Sequence, residues 1–146
     1  MPRQSRDEEE DRPKRLKVPK LTVGDINHDI AVQAAHYGAW ADEVARLETL
    51  VDNREERLEE LCSGLREELR DTLMLTRGRS LVTERAVTDM LLQNPAVLKQ
   101  RKSLRSLRAK YKAAKAILNA LDVKTKMLMS LAGLRRSEMQ ALNGSE

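Results

Sequence analysis

The sequence predicts an all-α protein of long helices, because its composition favours helix formation and its apolar residues follow a helical period. The 146-residue chain contains no Phe, one Trp and two Tyr, so the aromatic residues typical of strands are scarce. It has only six Gly and four Pro, while Leu, Ala, Glu, Lys and Arg, which are good helix formers, dominate. We therefore expect long heptad-patterned helices packed as an antiparallel helical hairpin or bundle, in a homo-oligomer.

Residues 1–24 are a charged N-terminal segment that we expect to be a disordered tail. Its mixed charges, its three prolines and its few apolar residues leave little to offset the entropy of ordering. It lacks the apolar core of a signal peptide, and no run in the chain approaches the roughly 18 apolar residues of a membrane span. We expect a cytoplasmic protein with a helical domain at 25–146. A basic arm that touches nucleic acid remains the alternative for the tail, centred on Lys14, Arg15, Lys17 and Lys20.

The first predicted helix begins near Ile26, where Asp25 can cap its free N–H groups. Apolar residues then recur with a seven-residue repeat from Ile30 through Leu47 to Leu75. Such a repeat indicates packing of helix on helix along a narrow seam. Residues 76–80, which contain one Gly among polar side chains, are predicted to form a loop.

Two further helices follow. A short one is predicted from about Glu84 to Gln93 with Thr83 as its N-cap. An Asn–Pro pair at 94–95 marks the next boundary, because Pro at the first helical position loses no hydrogen bond. The last helix is predicted to run from Pro95 to about Leu131.

Charge is segregated along the chain. Residues 40–75 hold eleven acidic and five basic residues, a net charge of −6, whereas residues 95–136 hold twelve basic residues and one acid, a net charge of +11. At 100° per residue, five cations of the last helix fall within an arc of about 80° and extend for about 20 Å. We call them the basic stripe: Arg101, Arg105, Arg108, Lys112 and Lys115.

The basic stripe suits a strand of phosphates, which Arg and Lys would engage with release of counterions. Lys99 and Lys102, outside this arc, are candidate contacts as well. Two alternatives stay open: the stripe meets the acidic first helix of a neighbouring subunit, or an anionic membrane surface. The three aromatic residues occupy seam positions, so we expect them in the core rather than stacked on bases: Tyr37, Trp40 and Tyr111. Binding of nucleic acid is therefore expected to be mainly electrostatic and tolerant of base sequence.

The sequence offers little for catalysis or cofactor binding. His28 and His36 are eight residues apart without the HExxH spacing of a zinc site, and Cys62 is the one cysteine. A glycine-rich phosphate loop is also missing from the sequence. We therefore expect a non-enzymatic protein without a metal site or a cofactor.

Several short motifs resemble, in order and spacing, the UvsY family of T-even phages and their relatives, which are phage recombination mediators. The resemblance runs from about residue 25 to residue 138. It includes an acid-poor segment with Lys99, and the other motifs are Ala35-x-Tyr37-x-x-Trp40, Ser63-Gly64, Thr83-Glu84 and the stretch from Leu118 to Met129.

The resemblance implies an all-helical subunit in a closed ring of about six or seven copies that binds single-stranded DNA. It also implies partnership with a RecA-like recombinase and a single-strand-binding protein, in the host cytoplasm if the protein is phage-encoded. The family's Lys-Ala-Arg-Leu stretch, which is linked to DNA contact, matches here at Arg57 and Leu58, while its Lys position is acidic. The predicted function is a recombination mediator; the alternative is a coiled-coil scaffold whose acidic and basic helices pair between subunits.

Overall fold

The structure is a computed structural model that describes residues 16–17, 19, 25–78 and 82–144. Three helices make up almost all of it: α1 (Ile26–Arg77), α2 (Glu84–Gln93) and α3 (Pro95–Asn143). No strand occurs among the described residues, so the all-α prediction is confirmed. The predicted tail lies almost wholly outside them. Within the described part, no helix has a stretch of the length and hydropathy that crossing a bilayer requires.

The three helices begin where the sequence predicts, because each has a side-chain cap. Asp25 Oδ1 accepts the backbone N–H two positions later at 3.0 Å. Thr83 Oγ1 accepts the N–H three positions later at 3.2 Å, and Asn94 Oδ1 accepts the N–H two positions later at 2.9 Å. Pro95 is the first residue of α3, where its missing N–H leaves no bond unmade.

Both long helices end later than predicted. α1 includes residues 76 and 77 and stops at Gly78, whose φ of +79° is a backbone conformation that glycine adopts easily. The loop predicted at 76–80 therefore begins too early. α3 continues past Leu131 to Asn143, since Gly133 costs a helix only about 1 kcal/mol and good helix formers follow it.

The contacts of the chain form two compact units. The central unit consists of residues 45–113 and contains the later part of α1, all of α2 and the start of α3. Here Tyr111 Oη donates to Glu48 Oε1 at 3.1 Å and Arg54 Nη1 donates to Ser103 Oγ at 3.3 Å, so α1 and α3 are antiparallel within this unit. Its core consists of Leu47, Val51, Leu73, Val87, Leu91, Val97, Leu104 and Leu107.

The seam of α1 does not keep the seven-residue repeat to its end. Leu73 is 2% exposed, whereas Leu75, the predicted seam residue, is 88% exposed. An unsupercoiled α-helix drifts by about 20° per heptad from a strict 3.5-residue repeat. The 22 residues from Val51 to Leu73 correspond to about six turns of an ordinary helix. The prediction for Leu75 is therefore wrong, because the buried face follows the true helical period.

The terminal unit consists of residues up to 44 and from 114 onward, and pairs the start of α1 with the later part of α3. A polar cluster lies inside it. Gln33 Nε2 donates to Leu121 O at 2.8 Å and to Thr125 Oγ1 at 3.0 Å, and Lys124 Nζ lies 3.4 Å from Asp29 Oδ1. The heptad position after Ile30 is thus occupied by a buried Gln. The apolar core of this unit is Trp40, Ala114, Leu121 and Leu128.

Candidate nucleic-acid interface

Most of the basic stripe lies on the part of α3 that belongs to the central unit. Leu104 and Leu107 are both 5% exposed and fix which side of α3 faces the core. The neighbouring arc is therefore turned to solvent, and the four central-unit members of the stripe are all exposed: Arg101, Arg105, Arg108 and Lys112. Lys115, also exposed, belongs to the terminal unit.

One member of the stripe has a carboxylate partner on α1. Arg108 Nη2 and Nε donate to Glu55 Oε1 at 2.6 and 3.1 Å, and the two side chains are 54% and 44% exposed. Lys115 also takes part in an intramolecular interaction. Arg101, Arg105 and Lys112 form no ion pair with any residue that the structure describes. Three exposed cations thus remain available over about 17 Å of helix.

Lys99 and Lys102 are exposed but lie away from the basic stripe. At 100° per residue, Lys102 is about 100° and Lys99 about 160° from Arg101 around the axis of α3. α3 therefore presents positive charge over much of its solvent-facing surface rather than along one line. A single extended strand that follows the stripe would not reach both of these lysines.

Arg57, the candidate taken from the family resemblance, is exposed on α1. It follows Glu55 by two residues, so it points about 160° away around the helix axis. Glu55 contacts Arg108, hence Arg57 faces away from that contact. The structure does not bring Arg57 to the basic stripe, and Arg57 has an intramolecular interaction of its own.

A line of acidic residues on α1 borders the basic stripe. Its spacing of i, i+4, i+7 and i+11 is the same as that of the four central-unit cations. Two members reach α3, one to Tyr111 and one to Arg108. We call the set the acidic line: Glu48, Asp52, Glu55 and Glu59. The sequence predicts pairing of acidic and basic helices only between subunits, so the contact of Glu55 with Arg108 within the chain was not predicted. The spacing of the acidic line is that of any helix face and does not show which face of α1 meets α3.

The aromatic residues are not all in the core. Trp40 is buried as predicted, and Tyr111 is half-buried with its hydroxyl bonded to Glu48. Tyr37 is 40% exposed, so its predicted place in the core is wrong. Among the described residues of the terminal unit, two helical segments pack together and leave one side of the seam uncovered.

The exposed Tyr37 lines an apolar groove of about 540 Å³ in the terminal unit. Ile30 and Met129, which also line it, are exposed. A second apolar surface lies on the opposite flank of α3, since its members are about 120–160° around the axis from Met129. We call it the apolar ridge: Val123, Met127 and Leu134, each more than half exposed.

The described residues contain no group of three or more His, Cys, Asp or Glu side chains arranged to hold a metal ion. His28 is exposed, and His36 and Cys62 are half-buried. Comparison of the chain with protein-family models, curated proteins and solved structures finds no match. The exposed cations beside the acidic line are therefore the features on which a function can be argued.

Proposed function

We propose that the protein binds single-stranded DNA along the basic stripe and acts as a recombination mediator in a homo-oligomer. The observation that carries the proposal is the row of exposed cations on α3 with no ion pair among the described residues: Arg101, Arg105 and Lys112. Like charges on one helix face repel one another. A stripe that lowers stability in the free protein is expected to serve an anionic ligand.

The spacing of the stripe supports a strand of phosphates as that ligand. Successive cations of the whole stripe are separated by about 4.5–6 Å along the axis of α3, a spacing that an extended phosphate backbone can follow contact by contact. The cations are held on a continuous helix whose other side is anchored by Leu104 and Leu107. Their backbone positions are therefore fixed before the strand arrives, so that binding has to order only the side chains.

Binding is expected to be electrostatic and tolerant of base sequence. Stacking platforms for bases are scarce on this surface, because Trp40 is buried and the Tyr111 hydroxyl is held by Glu48. Contacts to phosphates position a nucleic acid but carry no sequence information directly. The resemblance to the UvsY family supports the mediator role: a strand held in order lowers the cost of assembling a recombinase on it, in the host cytoplasm if the protein is phage-encoded.

The terminal unit supports self-association. An apolar ridge on one flank of α3 and an apolar groove on the other could engage each other in successive copies, a head-to-tail contact that builds rings or filaments. Met127→Glu on the ridge should reduce the oligomer mass in mass photometry. Met90→Glu, on an exposed apolar side chain of α2, is the matched control and should leave the mass unchanged. Equal masses for both variants and the unsubstituted protein would exclude the ridge as the contact.

Charge reversal tests the DNA-binding proposal. The double variant Arg101→Glu/Arg105→Glu should lose most of its affinity for a labelled single-stranded oligonucleotide in fluorescence anisotropy. Arg135→Glu/Arg136→Glu changes the net charge by the same amount on an exposed part of α3 outside the stripe, and should lose much less. Circular dichroism should show equal helicity in both. Equal affinities for the two variants would remove the stripe from the proposal.

The acidic line favours one alternative function, a scaffold in which the acidic line of one subunit pairs with the basic stripe of another. Salt separates the two functions. A DNA binder loses affinity along a log–log line whose slope reports the phosphates contacted. A scaffold of this kind would instead dissociate into subunits as salt rises and would not prefer DNA over other solutes.

A further inference from the structure

We propose that the acidic line acts as an internal substitute for a bound phosphate strand, so that DNA has to displace Glu55 from Arg108 before it can use the whole basic stripe. This inference rests on the proposed DNA-binding function. It assigns to α1, and to Glu55 in particular, control over how strongly and how selectively the stripe binds.

The register of the two helices supports this role. In the central unit the contacts of Glu48 with Tyr111 and of Glu55 with Arg108 place the acidic line beside the basic stripe. Both lines use the spacing i, i+4, i+7, i+11, and α1 and α3 are antiparallel there. Each carboxylate therefore lies near the level of one cation along the helix axes. The spacing itself is common to any single face of an α-helix, so the relation between the acidic line and the stripe depends on the two contacts that Glu48 and Glu55 make with α3.

The Glu55–Arg108 contact resembles the contact that a phosphate would make. One carboxylate oxygen accepts hydrogen bonds from both Nε and Nη2 of the guanidinium, and that fork is the group through which Arg binds phosphate oxygens. Both side chains are about half exposed. Ion pairs exposed in this way are weak enough to exchange with a competing anion, so a strand can replace Glu55 without unfolding the unit.

Displacement favours long polyanions over small ones. A strand can first engage Arg101 and Arg105, which are exposed and have no ion pair with described residues, and then reach Arg108 at high local concentration. Inorganic phosphate has no such anchor and has to compete with Glu55 directly. Glu55 is thus expected to be a specificity-determining residue that suppresses binding of short anions.

Glu55→Gln and its neighbour Glu56→Gln form a matched pair for the test. Both remove one negative charge from the same turn of α1, but Glu56 is exposed and has no ion pair in the described chain. With a labelled 30-nucleotide oligo-dT, Glu55→Gln should bind about threefold or more tightly than Glu56→Gln. Because the strand engages Arg108 in both proteins once Glu55 has been displaced, the log–log salt slope should be nearly the same for the two variants, and the difference should appear as tighter binding at each salt concentration.

A second substitution shows whether any gain in affinity for oligo-dT depends on the contact between Glu55 and Arg108. In the Glu55→Gln protein, Arg108→Gln should abolish the gain, because no guanidinium is left to release. Equal affinity for Glu55→Gln and Glu56→Gln, in a protein that binds oligo-dT, would overturn this inference and leave the proposed function standing. No binding of oligo-dT by the unsubstituted protein or by Glu55→Gln at low salt would overturn the proposed function itself.

Discussion

Replacement of Asp29 by Asn is expected to destabilise the protein strongly, because it removes a carboxylate that pairs with a buried lysine. Lys124 Nζ lies 3.4 Å from Asp29 Oδ1, and the two side chains are 6% and 15% exposed. Loss of one partner of a buried ion pair costs about 3–5 kcal/mol. Since Asn keeps an oxygen that can accept a hydrogen bond, we expect a loss of about 3 kcal/mol in the free energy of unfolding.

Removal of both charges should recover most of that loss. In Asp29→Asn/Lys124→Met no ammonium is left in the interior, and the Met side chain has a similar length and packs well in irregular apolar space. The double variant should therefore lie within about 1 kcal/mol of the unsubstituted protein, because replacing a whole buried pair is often close to neutral. The double-mutant cycle would then give a coupling energy of about 2 kcal/mol or more.

An exposed ion pair within α3, formed by Lys126 and Asp122, is the control. Lys126 Nζ lies 2.8 Å from Asp122 Oδ2, with side chains 74% and 48% exposed. The hydrogen bond and charge of Asp122 raise the pKa of Lys126 above its usual 10.5. Because the folded pKa is the higher one, the pair's contribution is fully present below pH 10.5 and is lost as the pH rises through the folded pKa. Asp122→Asn should lower this pKa, measured by NMR titration, and barely alter stability.

Urea denaturation followed by circular dichroism, at one fixed protein concentration, measures these differences. An Asp29→Asn loss below about 1 kcal/mol, or a cycle without coupling between Asp29 and Lys124, would refute the reasoning about the buried pair. A similar loss for Asp122→Asn would point instead to a general effect of net charge.

The remaining predictions concern the stability of the central unit, measured by the same denaturation assay. Leu73→Ala should lower the free energy of unfolding by about 2–5 kcal/mol because Leu73 is buried. Leu75→Ala should lower it by less than about 0.5 kcal/mol because Leu75 is exposed. Equal losses would indicate that the buried face of α1 keeps the strict seven-residue repeat. Gly64→Ala should add about 0.5–1 kcal/mol of stability, since a Cβ there meets open space in a helix. Gly78→Ala should cost about 1 kcal/mol, because its φ of +79° strains other residues. Thr83→Ala should cost about 1 kcal/mol through loss of the α2 cap, and Thr83→Ser should cost less.

Helix starts could be predicted from the sequence because their causes are local. Asp25, Thr83 and Asn94 each bond an N–H two or three residues away, so the pattern needs no knowledge of the rest of the chain. The late end of α3 was missed because Gly133 and the polar residues after it are compatible with either helix or loop. Leu73 was missed in favour of Leu75 because a repeat of 3.5 and one of 3.6 differ little until several turns have accumulated.

The candidate site was predictable in part for the same reason. The basic stripe is a property of one helix, so its spacing appears in the sequence, and the buried Leu104 and Leu107 explain why it faces solvent. The pairing of Arg108 with Glu55 depends on how α1 lies against α3, which is a tertiary property. The exposure of Tyr37 likewise depends on how many helices cover the terminal unit.

The measurement that tests the central claim most directly is the affinity for single-stranded DNA as a function of salt. Three exposed stripe cations have no ion pair among the described residues. At about 0.7 per phosphate contacted, they predict that the logarithm of the association constant falls with the logarithm of the salt concentration with a slope of about −2 or steeper. Arg101→Glu/Arg105→Glu should make that slope shallower. Binding that is absent at low salt, or that does not change between about 50 and 200 mM salt, would contradict the account.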